Sequence, residues 1–151
     1  LPQSPSRDFL EVSVRKQIGF VIGLHNEEMD MQYSREHQWI KLQGNVATVG
    51  ITQYAAGELG DLTWVTLPTV GEELATGAVL CHLEAVKAES DAYAPLGGEI
   101  LEVNTVLEDQ PEIINESAEA SGWIAKIRVN PGEDRSHLLS KADYDQYIEE
   151  L

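Results

Sequence analysis

Lys87 is the residue whose type and setting most clearly suggest chemistry. Between Lys41 and Lys126 it is the only lysine or arginine, in an interval where acidic residues keep accumulating. It stands in Glu84-Ala85-Val86-Lys87-Ala88-Glu89-Ser90-Asp91, with apolar residues at strand spacing on either side. A primary amine on a four-carbon stem can be acylated or can condense with a carbonyl compound. Condensation calls for an amine desolvated in an apolar pocket or held beside another cation, and this acidic stretch offers neither. Acylation asks only for an outward amine that a modifying enzyme can deprotonate in its own site.

Other reactive side chains point to structure. His25, His37, His82 and His137 are scattered without metal-ligand spacing, so no metal site is expected. A single cysteine, Cys81, excludes an intramolecular disulfide framework; set in the strand-like run Ala78-Val79-Leu80-Cys81-His82-Leu83 it reads as a small buried apolar residue, in keeping with a reducing compartment. Glu72-Glu73, Glu108-Asp109 and Glu149-Glu150 read as solvated faces, and no glycosidase-type pair, nucleophile triad or phosphate-binding glycine loop occurs. Trp39, Trp64 and Trp123 are expected in the core or at its rim.

A chain of 151 residues with 42% apolar content fits one domain, and a net charge of -16 repels nucleic acid and anionic membranes while suiting partners with basic faces. Ile18 to Leu24 is the longest apolar run near the start, far short of the roughly 20 residues that span a bilayer. Residues 1–31 read as an extension, opening with the proline- and serine-spaced LPQSPSRDF of an extended or disordered arm. It is either a presequence remnant, given Arg7, Arg15 and Lys16 but against Asp8 and Glu11, or upstream sequence before a start at Met29 or Met31.

Residues 32–151 carry the domain, mostly short strands broken by glycine. WIKLQGNVATVGI predicts two strands around a short loop at Gln43-Gly44-Asn45, DLTWVTLP a third ended by Pro68, and GWIAKIRV a strand with Trp123, Ala125, Ile127 and Val129 on one face. TQYAAGELG predicts a short helix capped by Thr52 and stopped by Gly60. The C-terminal helix has Ser140 and Asp143 at capping-box spacing and packs Tyr144, Tyr147, Ile148 and Leu151 as one stripe. Around Lys87 the chain has a rough mirror relation, with turn signals at Gly71 and Gly77 on one side, Gly97 and Gly98 on the other, and strand-spaced residues running out through Ile114. Lys87 then falls at a bend lacking the Asn-Gly chemistry of tight hairpins, which requires a type I or looser turn.

GDLTWVTLPTVG, LEAVKAESDAYAPLGGEILEVN, LEDQPEIIN and GWIAKI together resemble the H protein of the glycine cleavage system, in the same order and over roughly residues 33–151. Biotin carriers share the fold but resemble AMKM at the lysine, where this chain has Ala85-Val86-Lys87-Ala88. The resemblance implies a mainly β fold, a flattened β barrel of the barrel-sandwich hybrid type. It implies lipoic acid joined by an amide to Lys87, with Glu84, Val86, Ala88 and Asp91 recognised around it. By the same resemblance the chain is a non-catalytic carrier. It would take an aminomethyl group from the pyridoxal-phosphate glycine decarboxylase (P protein) to the tetrahydrofolate-dependent aminomethyltransferase (T protein), and dihydrolipoyl dehydrogenase (L protein) would reoxidise it. Lipoate-attaching enzymes are the remaining partners, and a monomer in a bacterial cytoplasm or mitochondrial matrix is expected. A second reading is a relay that passes lipoate or octanoate on to other lipoyl domains.

Two positions depart from the family's pattern: Ala85 where a serine is usual, and Gln38 where a glutamate is usual. The resemblance places Glu36, His37, Gln38 and Asp91 in the cleft where the loaded arm docks. Neutral Gln38 then deprives the arm's amine of an ionic partner, Asp91 and Glu36 remain to hold it, and a carboxylate restored at 38 is expected to slow loss of the cargo.

Overall fold

The computed structural model describes residues 31–151, so the reading of the extension lies, Met31 apart, outside the described residues. Among the described residues nine strands form two antiparallel sheets: β1 (Met31–Tyr33), β2 (Gln38–Gln43), β3 (Val46–Ile51), β9 (Ala125–Val129), β8 (Gly98–Val103) and β5 (Glu73–Leu74) in one, in that order, and β4 (Leu62–Thr66), β6 (Val79–Ala85) and β7 (Glu89–Tyr93) in the other. Ile40, Val49, Val65, Leu83, Ile100 and Ile127, drawn from both sheets, belong to one buried cluster. No ladder joins the two sheets among the described residues, so the barrel is of the sandwich type.

Local chemistry explains the joints. β2 and β3 pair through Gln43↔Val46 around Gly44-Asn45. Gly44 has φ 64° and Asn45 is not left-handed, the sign pattern of a II′ hairpin turn with glycine first. Thr52 accepts from the Ala55 N–H at 3.2 Å and Gly60, at φ 84°, ends α1 (Gln53–Leu59), as the sequence predicts. Ser140 likewise caps α4 (Lys141–Glu149) through the Asp143 N–H. Trp39 lies opposite Gly50, and a Cβ on Gly50 would fall 2.7 Å from the indole nitrogen, so the glycine is what lets this ring lie flat on the neighbouring strand.

The mirror about Lys87 appears as two ladders, β6 against β7 and Glu73–Leu74 against Gly98–Glu99. It ends earlier than the sequence suggests. Residues after β8 turn into α2 (Val106–Asp109) and α3 (Glu112–Ser117), with Pro111 as the N-cap of the second and Leu107 and Ile114 fully buried. Asn104 fixes that turn, donating its side-chain amide to the carbonyls of Ser121 and Trp123.

Further expectations are corrected. Trp64 is 56% exposed, on the outer side of β4. Trp123 is half-buried at the rim, as expected, but precedes β9 rather than belonging to it, with the Lys126 ammonium 5.3 Å from its ring centre. Leu151 lies past the end of α4 and is exposed, so the helix packs through Tyr144, which stacks on Tyr33 at 4.9 Å. Cys81 is buried as expected, and burial pushes its thiol pKa up to about 12.

Candidate functional site

β6 and β7 form a hairpin whose last ladder pair is Glu84↔Glu89. The Ala85 N–H donates to the Ala88 carbonyl at 2.7 Å, and the Val86 N–H reaches the Asp61 carbonyl at 3.0 Å, tying the tip to the entry of β4. His37 is the only non-glycine described residue with positive φ, so neither Val86 nor Lys87 uses the left-handed conformation that a type I′ turn demands. Lys87 is exposed at this tip, with no ion-pair or hydrogen-bond partner among the described residues. Val86 is 68% exposed, Glu84 and Ala88 are exposed, and Asp91 is half-buried. The four residues expected around the lysine thus lie on one hairpin with it.

Sequence reasoning missed what lies just below the tip. The register places His82 opposite Asp91, and the imidazole meets three carboxylates: Nδ1 at 2.7 Å from Asp91, Nε2 at 3.0 Å from Glu89 and at 3.8 Å from Glu84. The hydrogen bond that the imidazole donates to Asp91, supported by Glu89, holds the His82 pKa above the usual histidine range. A histidine facing acids at alternate positions of an expected hairpin is the signal that would have found it.

Glu36, His37, Gln38 and Asp91 line one cavity of ≈ 250 Å³, together with Tyr54 and Glu58 of α1. Ser90 and Asp91 are on its wall, three and four residues from Lys87, or roughly 10–13 Å along an extended strand. His37 has φ 72°, a strained conformation for a residue with a Cβ. Its N–H donates to the Ser34 carbonyl, its carbonyl accepts from the Thr52 N–H, and Nδ1 lies 2.8 Å from the Tyr144 hydroxyl. Burial lowers the His37 pKa, so the ring facing the cavity is neutral at pH 7.

Gln38 lines the cavity, but its amide is already committed. It is 1% exposed; Oε1 accepts from the Ser34 hydroxyl at 2.6 Å and Nε2 donates to the Glu36 carbonyl at 3.0 Å. The carboxylates facing the cavity are those of Glu36, Glu58 and Asp91. A larger cavity, ≈ 610 Å³, is lined by residues such as Arg128, Arg135, Glu99 and Glu133 and includes none of the hairpin. Within it Arg128 is paired with Glu99, and Glu133 is taken by Thr76 and the Gly97 N–H.

The family profile described as "Glycine cleavage H-protein" matches residues 31–151. The chain belongs to that family. A glycine cleavage system H protein of Halothermothrix orenii is 43% identical over 126 residues, covering 83% of this chain and 98% of the relative, and one from Staphylococcus epidermidis is 46% identical over 121 residues, covering 80% and 96%. The crystal structure of a glycine cleavage system H protein from Mycobacterium marinum superposes with a TM-score of 0.73 at 33% identity, over 80% of this chain and 98% of that one. Membership of the H-protein family brings a covalently held lipoate and the role of carrier in glycine cleavage. No helix among the described residues is long and apolar enough to cross a membrane.

His37 at the cavity and His82 on the hairpin contribute to stability with opposite signs. His37, with its pKa lowered by burial, stabilises the fold above its unfolded value of about 6.5, and that contribution is lost as pH falls below it. His82, with its pKa raised by Asp91 and Glu89, stabilises below about 6.5, and its contribution is lost as pH rises through the folded value. His82→Gln should therefore melt below wild type at roughly pH 5 to 6 and converge with it at alkaline pH, where the folded imidazole has lost its proton. Melting curves across that range check it, and an offset that does not change with pH would show that the imidazole is not held as a cation.

Proposed function

We propose that Lys87 is the residue to which the lipoate is joined, and that the chain shuttles an aminomethyl group from the glycine decarboxylase to the aminomethyltransferase. Support comes from one observation above the others: the only lysine or arginine between Lys41 and Lys126 stands exposed and unpaired at the tip of a two-stranded hairpin. An amide at that nitrogen displaces no internal contact. When bound, lipoate supplies a dithiolane on a long arm that carries the one-carbon amine fragment and the electrons released with it.

The rest falls to this chain's own residues. The hairpin holds Lys87 clear of the sheets, so partners meet a tethered group at high effective concentration. Glu36, Glu58 and Asp91 offer carboxylates to a cationic amine in the cavity beside β7, and Leu59 and Leu83 give that cavity an apolar wall against water. The neutral His37 adds no competing positive charge. No residue of the chain is assigned a catalytic step; decarboxylation, transfer and reoxidation by dihydrolipoyl dehydrogenase belong to the partners. We read the carrier as a monomer of a bacterial cytoplasm or mitochondrial matrix. The relay reading rests on Gln38, whose amide is engaged inside the fold, and the relatives, named for glycine cleavage, lend it no support.

Intact mass and peptide mapping after incubation with a lipoate-attaching enzyme test the site, and subsequent labelling from radioactive glycine by the decarboxylase tests the role. One lipoyl addition on the Lys87 peptide followed by glycine-dependent label is expected. Addition without labelling would sink the carrier role in favour of the relay, and absence of addition would sink both.

A further inference from the structure

The outer face of the β4-β6-β7 sheet is built for contact. Cross-strand pairing places Trp64, Glu84 and Glu89 in one row and Thr66, His82 and Asp91 in the next. Side chains in such rows share a face and touch their neighbours. Trp64 is 56% exposed, yet its indole N–H donates to the Thr66 hydroxyl at 3.2 Å, which holds the ring over the sheet. His82 bridges Asp91 and Glu89 and lies 3.8 Å from Glu84. Each member is thus held before any partner arrives, which lowers the ordering cost of binding. Val86, exposed at the tip, sets a second apolar side chain beside Lys87.

We infer that this face is the docking surface for the enzyme that acylates Lys87, with Trp64 as its anchor in an apolar pocket edged by basic residues. The inference rests on the assignment of Lys87 given above. Three arguments select the occupant. Tryptophan is among the residues enriched at the energetic centres of interfaces. The acids Glu84, Glu89 and Asp91 around it call for a cationic rim and repel a second copy of a chain with net charge -16. Enzymes acting at the far end of a finished arm can work at an arm's length from the hairpin. The acylating enzyme alone must bring its own catalytic centre to Nζ, and so must cover the neighbouring residues. There the deprotonated Nζ attacks the carbonyl carbon of an adenylate-activated lipoate; the C–N bond forms, the bond to AMP breaks, and AMP leaves.

The test uses the full chain without lipoate, a purified adenylate-forming lipoate ligase, lipoate and ATP, with addition followed by mass. Trp64→Ala is expected to raise KM for the chain about tenfold with kcat nearly unchanged, Trp64→Phe to recover most of the loss, and KM for wild type to climb with salt. The melting temperature should not move, since the ring is exposed, and this separates docking from folding. Unchanged KM in Trp64→Ala with addition still on Lys87 would overturn the docking surface and leave the lysine assignment standing. Addition to wild type at another lysine would overturn the lysine assignment itself. Wild type that sediments as a dimer dissociated by Trp64→Ala would overturn the inference in favour of a second copy as the occupant.

Discussion

Lys87→Ala is expected to lose lipoate incorporation entirely while its unfolding free energy stays within roughly 0.5 kcal/mol of wild type, the usual range for an exposed position without partners. Loss should be all or none, because the other described lysines are poor acceptors. Lys126 is paired with Glu102 and sits over Trp123, Lys141 is paired with Asp145 in the first turn of α4, and Lys41 lies inside β2. None of the three projects from a hairpin tip. Lys87→Arg should fail as completely, since a guanidinium stays protonated and cannot serve as the acylated amine. Intact mass after exposure to ligase, lipoate and ATP reads the outcome. Incorporation in either variant would mean that the attachment point lies elsewhere and that isolation in sequence misled.

The second large effect is on stability and comes from Gln38→Glu. The buried amide donates to the Glu36 carbonyl and accepts from the Ser34 hydroxyl, so a carboxylate there would set a second oxygen against a carbonyl oxygen with no proton between them. Leaving buried acceptors facing each other costs about 1–3 kcal/mol, and more when one is charged. For a domain of this size that lowers the melting temperature by roughly 5–15 °C. Burial raises the pKa of the new carboxyl, and the protonated acid can donate to Glu36 as the amide does. The deficit should then be small below roughly pH 4 and open as pH rises through the unfolded value of about 4.3 toward the folded one. Equal melting temperatures at pH 7 would show that the amide is not committed in this way. The restored carboxylate would then be free to hold a cationic amine, as the bare sequence comparison suggests.

The contrast between these two positions shows what a sequence can carry. The position of Lys87 at a bend was legible because a single lysine among acids with strand-spaced flanks needs only local information. The caps Thr52, Gly60 and Ser140 were legible for the same reason: each satisfies backbone groups within four residues of itself. Trp64 was misplaced because strict alternation from the buried Leu62 puts it inside, whereas an irregularity in the β4–β6 pairing between Leu62 and Trp64 reverses its side. The stretch from Val106 to Ser117 offered apolar pairs compatible with a strand or a helical turn, and packing of Leu107 and Ile114 decided it. Of the cavity beside β7, the grouping of Glu36, His37, Gln38 and Asp91 was expected from resemblance alone. Glu58 and the Gln38 hydrogen bonds were not, because they depend on which side chains α1 and the turn at Ser34 bring together.

The placement of the three tryptophans gives the molecule its own optical readout. Trp39 is sealed in the interior with its N–H on the Ala118 carbonyl, Trp123 is half-covered beneath a lysine, and Trp64 faces solvent next to the hairpin. Indole emission shifts to the red with solvent contact, so the red edge of the native spectrum reports chiefly on Trp64. Its quenching by a neutral solute such as acrylamide measures how far that ring is covered. Loss of the blue component from Trp39 tracks unfolding, so a single spectrum distinguishes a chain that has been covered from one that has come apart.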